Sequence, residues 1–271
     1  MSTLAKIAPP VSLLAAFVIS LWETGYLSTL PASVRVGAGT GRKACFGMRK
    51  GQFVSKGAAK MTIEKRLAES GVVPLVQAEV PETAIQISKA LLAGGLSVIE
   101  VVLRTDDALR CLEAVGKAVP QAFVGAGTVL TAEQAQAAIG AGSRFIVSPG
   151  LDDAVVRVAL AHGVPVFPGV ATATELQRAY NLGLRTVKFF PAGVAGGTAM
   201  IKALGSAFRG MKFMPTGGIS ASNLAEYLAL PSVVACGGSW LTPPAAIESN
   251  DYRKITGLAA EAVAIARARA R

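Results

Sequence analysis

Lys188 stands in the run Thr186-Val187-Lys188-Phe189-Phe190-Pro191, a charged side chain inside an apolar, β-prone stretch. A strand alternates its side chains between two faces, so Thr186, Lys188 and Phe190 share one of them. Facing an apolar interior, the amine is disfavoured as a cation, and the neutral form is a nucleophile for a carbonyl carbon. The alternative is an outward lysine whose stem covers apolar surface while its head stays in water. For a strand lysine taken alone, that alternative is the commoner one, so the other strands decide.

The run Val98-Ile99-Glu100-Val101-Val102-Leu103-Arg104-Thr105 carries Glu100 and Arg104 on the same parity. Four strand residues span roughly 13 Å, which puts Glu100 deep and Arg104 at the mouth of an interior. A buried carboxyl is costly and demands a partner or a proton to manage. Beside an inward Lys188, Glu100 is a proton carrier for a nucleophile. Otherwise the two form a structural ion pair. Arg104 suits a substrate carboxylate, which a guanidinium binds with two parallel hydrogen bonds; as a solvated loop charge it needs no such role. In Val124-Gly125-Ala126-Gly127-Thr128, Thr128 shares parity with Val124 and Ala126, and its hydroxyl can serve the same carboxylate. The glycines there read first as a tight turn.

Two further runs end in paired glycines, Pro215-Thr216-Gly217-Gly218-Ile219-Ser220 and Gly237-Gly238-Ser239-Trp240. Such pairs let backbone N–H groups approach an anion, and a following helix N-terminus favours negative charge. His162-Gly163 reads as a helix end and Asp152-Asp153 as a helix start, neither as catalyst or ligand set.

These residues need elements to hold them. From residue 61 onward, β-rich runs alternate with segments of helical spacing. The strand candidates are 72–77, 97–103, 122–129, 144–148, 165–170, 186–191, 212–216 and 233–238, with helical segments such as 81–93, 132–139 and 154–162 between them. Eight βα units imply a (β/α)8 TIM barrel in one domain, residues 61–271. An open doubly wound sheet is the rival, but no Gly-rich fingerprint follows the first strand candidate. In a barrel the chemistry sits at the C-terminal ends of the strands, and the loops after the seventh and eighth form a common phosphate site.

Composition narrows the partners. Hydrophobic residues make up 52% of the chain and charged residues 16%, a balance for a buried core rather than disorder. The net charge of +10 hints at nucleic acid, yet residues 1–60 hold eight Lys and Arg against Glu23 alone and so supply +7 of it. The remaining +3 gives no basic face, and no nucleic acid is expected as partner. Cys45, Cys111 and Cys236 form no pattern, which suits a reducing compartment, and the single histidine, His162, excludes a His-rich metal site.

Residues 1–60 form a separate extension. The apolar run at 11–22 is shorter than a transmembrane helix needs. It fits a signal-peptide core, a transit peptide in the acid-poor stretch, or upstream sequence translated from a wrongly chosen start, with Met61 as the native beginning. The wrong start is favoured and export fits least. The expected location is the cytoplasm, with organellar targeting left open by the extension.

The chain resembles the 2-keto-3-deoxy-6-phosphogluconate aldolase family, which includes 4-hydroxy-2-oxoglutarate aldolases. The likeness lies in Gly94-Gly95, Ile99-Glu100-Val101, Leu103-Arg104-Thr105, Gly125-Ala126-Gly127-Thr128-Val129, Ser148-Pro149-Gly150, Pro168-Gly169-Val170, Val187-Lys188-Phe189-Phe190-Pro191-Ala192 and both glycine-pair runs, in order over nearly all of 65–271. The resemblance implies a homotrimeric, metal-independent class I aldolase of a phosphorylated 2-keto acid, with no cofactor. It implies that Lys188 forms an imine with the substrate's C2 carbonyl and Glu100 relays protons. Arg104 and Thr128 would hold the carboxylate, and Gly217, Gly218 and Ser239 the phosphate. Gln77 departs from the family at a position where some members carry Arg. The rival functions are a phosphosugar isomerase or epimerase on the same barrel, which needs no imine, and a non-catalytic phosphometabolite-binding protein, which needs neither Lys188 nor Glu100.

Overall fold

Seven of the eight apolar runs become one parallel strand each and the run at 165–170 becomes two, and a helix after each run returns the chain to the same end of the sheet. The computed structural model describes residues 62–268; the expectations for the extension lie outside them. In chain order the elements are α1 (Ile63–Ser70), β1 (Val72–Val76), α2 (Pro81–Ala93), β2 (Val98–Val102), α3 (Ala108–Ala118), β3 (Phe123–Gly127), α4 (Ala132–Gly140), β4 (Ile146–Val147), α5 (Asp153–Ala161), β5 (Val166–Phe167), β6 (Gly169–Val170), α6 (Ala173–Asn181), β7 (Thr186–Phe189), α7 (Gly197–Ala207), β8 (Lys212–Pro215), α8 (Ala221–Leu228), β9 (Cys236–Gly238), α9 (Pro244–Glu248) and α10 (Tyr252–Ala268).

The pairings, all parallel, form one sheet in the order β5-β4-β3-β2-β1-β9 and a second in the order β6-β7-β8. Bridges Phe213↔Val233 and Thr216↔Gly237 tie β8 to the segment of β9. The expected strand at 165–170 is divided at Pro168. Proline has no N–H to give to a ladder, and the chain changes partner there: Val166 pairs with Ile146 on one side, Gly169 with Lys188 on the other.

Alternation sorts the core into two layers. Val73, Val98, Phe145, Val147, Phe167, Met214 and Ala235 point inward and pack together with Ile63 and Leu67 of α1. Their neighbours of opposite parity, including Ile99, Val101, Val124, Ala126, Val187 and Phe189, pack outward in the larger apolar cluster shared with the helices. Inward residues of β2 and β7 further along are then Glu100 and Lys188, one layer above an apolar floor.

Capping fixes where the loops end. Asp152 accepts from Val155 N at 2.8 Å, and His162, the residue that ends α5, sets its Nδ1 2.8 Å from Val158 O, as their helix-boundary reading requires. At α6, Glu175 Oε2 accepts from Ala171 N, Thr172 N and the Thr172 hydroxyl, while Thr172 Oγ1 accepts from Glu175 N. Burial alone pushes the Glu175 carboxyl up, but the two N–H donors and the hydroxyl outweigh it and hold it below its usual value. A depressed carboxyl stabilises the fold above its unfolded value, near about 4.3, and that contribution is lost as pH falls through the folded value. Glu175→Ala is therefore expected to cost about 1 kcal/mol in urea unfolding at neutral pH, a difference that shrinks as the pH is lowered below about 4.3.

Candidate active site

β7 presents Lys188 to the interior because Val187 and Phe189, both fully buried, take the outward face against the helices. Lys188 itself is 2% exposed and Glu100 0%. Lys188 Nζ lies 3.6 Å from Glu100 Oε1 and 5.3 Å from the centre of the Phe190 ring. β2 pairs only with β1 and β3, and β7 with β6 and β8, so this ion pair crosses the interior rather than running along a ladder. Two desolvated charges are costly even when paired, and neither Glu100 oxygen accepts a hydrogen bond from a described residue.

The layer around it is hollowed by glycine. A Cβ at Gly127 would overlap Glu100 Oε1, one at Gly237 would overlap Thr216 Oγ1, and one at Gly169 would overlap Pro149 O. Thr216, 4% exposed, belongs to this layer, and its Oγ1 is buried without a hydrogen-bond partner among the described residues. The sequence motif marks its glycines rather than the threonine; the parity of Thr216 with the inward Met214 is the signal that points to it.

Arg104 stands beyond the end of β2, exposed at the mouth, and its Nε donates to Thr128 Oγ1 at 3.1 Å. A turn, not strand parity, places the Thr128 side chain. Val124 and Ala126 face the helices, so a continued strand would send Thr128 outward with them. The backbone instead enters the left-handed region at Thr128, φ 57, and that turn re-aims the side chain toward Arg104. Among the described residues no hydrogen bond or ion pair links Arg104 and Thr128 to the Lys188–Glu100 pair below.

A cavity of about 580 Å³ opens beside this mouth. Arg104 and Ser239 line it with Gln77, Val102 and Thr242, among others. Ser239 directly follows β9, whose Gly237 bridges to Thr216, so Ser239 and the Gly217-Gly218 pair occupy adjacent strand ends. Gly217 and Gly218 have φ 92 and 79, which side-chain-bearing residues rarely adopt. Asn223 Nδ2 donates to Gly218 O at 2.8 Å, and Gly193 N donates to Gly217 O at 2.9 Å, which fixes the turn just before α8. Among the described residues no group of three His, Cys, Asp or Glu side chains stands close enough to hold a metal ion, and no helix is long and apolar enough to cross a membrane.

Known proteins resemble this chain in sequence and fold. The aldolase family described as KDPG and KHG aldolase matches residues 63–258. The KHG/KDPG aldolase of Escherichia coli (strain K12) is 44% identical over 204 residues, covering 75% of this chain and 96% of that protein. The KDPG aldolase from Legionella pneumophila, solved with pyruvate captured as a covalent carbinolamine intermediate, is 40% identical, with a TM-score of 0.71 over 74% of this chain and 97% of that one. The 2-keto-3-deoxy-6-phosphogluconate aldolase of Zymomonas mobilis ZM4, solved with 3-phosphoglycerate, is 42% identical, with a TM-score of 0.71 over 74% of this chain and 95% of that one. By its motifs, its parallel α/β fold and these matches, the chain belongs to the KDPG and KHG aldolase family.

Proposed function

We propose that residues 61–271 form a (β/α)8 barrel, with β5 and β6 counting as one strand, and that the chain is a class I aldolase. It cleaves 2-keto-3-deoxy-6-phosphogluconate to pyruvate and glyceraldehyde 3-phosphate through an imine on Lys188, and also takes 4-hydroxy-2-oxoglutarate. The observation that carries this reading is the fully buried Lys188–Glu100 pair, 3.6 Å apart on non-neighbouring strands. The Legionella protein's covalent pyruvate adduct and the Zymomonas protein's phosphorylated ligand support the two ends of the substrate.

The steps follow from the positions. The neutral Lys188 amine adds to the C2 carbonyl, and loss of water from the carbinolamine leaves an iminium. The iminium draws electrons from the C3–C4 bond as the C4 hydroxyl gives up its proton, releasing the aldehyde and leaving an enamine on Lys188. Protonation at C3 and hydrolysis then release pyruvate and restore the amine. Glu100, whose Oε1 lies 3.6 Å from Nζ, gives and takes the protons. Arg104 and Thr128, already joined at 3.1 Å, hold the carboxylate. The Gly217 and Gly218 backbone, Ser239 and the start of α8 receive the phosphate. The proposed working form is a cytoplasmic homotrimer, with no metal, organic cofactor or nucleic acid involved.

Incubation with pyruvate and borohydride, followed by peptide mass mapping, tests the reading. A reduced pyruvyl adduct on Lys188 is expected. Its absence removes the imine and leaves the isomerase or binding-protein alternatives. Arg104→Ala is expected to raise the KM for the keto acid roughly ten- to a hundredfold, with a smaller effect on kcat, because a charge-assisted contact made to substrate and transition state alike is lost. Steady-state kinetics with an unchanged KM would remove Arg104 from the carboxylate site.

A further inference from the structure

Gly127 ends β3, yet its backbone stays outside the left-handed region; the turn is made one residue later, at Thr128. Nothing in its dihedrals calls for glycine, and glycine weakens a strand. Its neighbour on the adjacent strand β2, Glu100, explains it. A Cβ at 127 would overlap Glu100 Oε1 and come within 2.6 Å of both Cδ and Cγ. Glu100 is 0% exposed, so a methyl at 127 can be accommodated only by moving the carboxyl within the interior. Hydrogen bonds from described residues do not hold its oxygens, so the shape of the space and the Lys188 amine set where the carboxyl stands.

We propose that Gly127 is a positioning residue: the side chain it lacks is the seat of the Glu100 carboxyl, and that seat sets the distance from proton carrier to nucleophile. The proposal rests on Lys188 and Glu100 having the roles given above. Proton transfer depends steeply on reach, so a methyl at 127 that displaces the carboxyl interrupts the relay while leaving Arg104 and the phosphate loops in place. In a chain with alanine at 100 the same methyl has no carboxyl to displace.

The test compares four full-length proteins: wild type, Gly127→Ala, Glu100→Ala and the double variant. Gly127→Ala is expected to lower kcat by about 10²–10³-fold with KM changed by less than about threefold. Exchange of pyruvate methyl protons with deuterated solvent, which reads enamine formation without C–C cleavage, should slow in parallel. Added to Glu100→Ala, the Gly127 change should alter kcat by less than about twofold, since its whole effect runs through the missing carboxyl. A kcat for Gly127→Ala within about fivefold of wild type, or costs that multiply in the double variant, would overturn the positioning role. If Gly127→Ala alone does not fold, the double variant should still fold with the urea midpoint of Glu100→Ala, because the vacated space accepts the methyl; a double variant that also fails to fold overturns the proposal. Wild-type enzyme that leaves no pyruvyl adduct on Lys188 defeats the aldolase reading itself. A labelled wild type with multiplying costs defeats only the role of Gly127.

Discussion

Lys188→Ala is expected to lower the cleavage rate by on the order of 10⁴–10⁶-fold, the scale seen when an enzyme loses its covalent nucleophile. Glu100 supplies no substitute, since a carboxylate forms no iminium and so offers no electron sink for the C3–C4 bond. The same change has a structural consequence. It leaves Glu100, 0% exposed, without its cation, and breaking a buried pair from one side costs about 3–5 kcal/mol. Urea unfolding should show a lower midpoint with the same slope. Loss of activity through misfolding is separated from loss of chemistry by Lys188→Met combined with Glu100→Leu. That pair removes both charges at similar volume and is expected to be at least as stable as wild type, yet inactive and unlabelled by pyruvate and borohydride. Substantial cleavage by either variant would exclude Lys188 as the nucleophile.

Glu100→Gln is expected to lower kcat by about 10²–10⁴-fold, the range for a positioned acid–base group. Glutamine preserves the shape that Gly127 accommodates but neither takes nor gives a proton at neutral pH. The amine is kept, so prolonged incubation with pyruvate and borohydride should still label Lys188, more slowly than in wild type. This split separates the proton carrier from the nucleophile: Lys188→Ala loses labelling altogether, while Glu100→Gln loses turnover first. A Glu100→Gln enzyme with kcat within about tenfold of wild type would assign the proton relay to another group. Thr216 is then the next residue to replace, because its hydroxyl is buried in the same layer without a hydrogen-bond partner among the described residues.

What the sequence determined by itself rests on local rules. Period-two alternation grouped Lys188 with Thr186 and Phe190, and Glu100 with Arg104, on one face each, because side chains alternate along a strand. Helix boundaries at Asp152 and His162 were legible for the same reason, since a cap is satisfied within a few residues of itself. The family motifs added the chemistry that the inward faces serve.

Tertiary structure decided the rest. Thr128 faces Arg104 through a left-handed turn, where counting along the strand sends it toward the helices. The strand at 165–170 divides at Pro168 because its two halves have different neighbours, a fact of ladder order rather than of composition. That Lys188 and Glu100 meet at 3.6 Å, across strands that do not pair, depends on how the two sheets face each other. Gly127 shows the limit most clearly: along the chain it is a strand end before a turn, and only the fold reveals that it stands where the Glu100 carboxyl must go. Residue count groups the side chains of a regular strand by face; the distance between side chains on separate strands is set by packing, which no local pattern encodes.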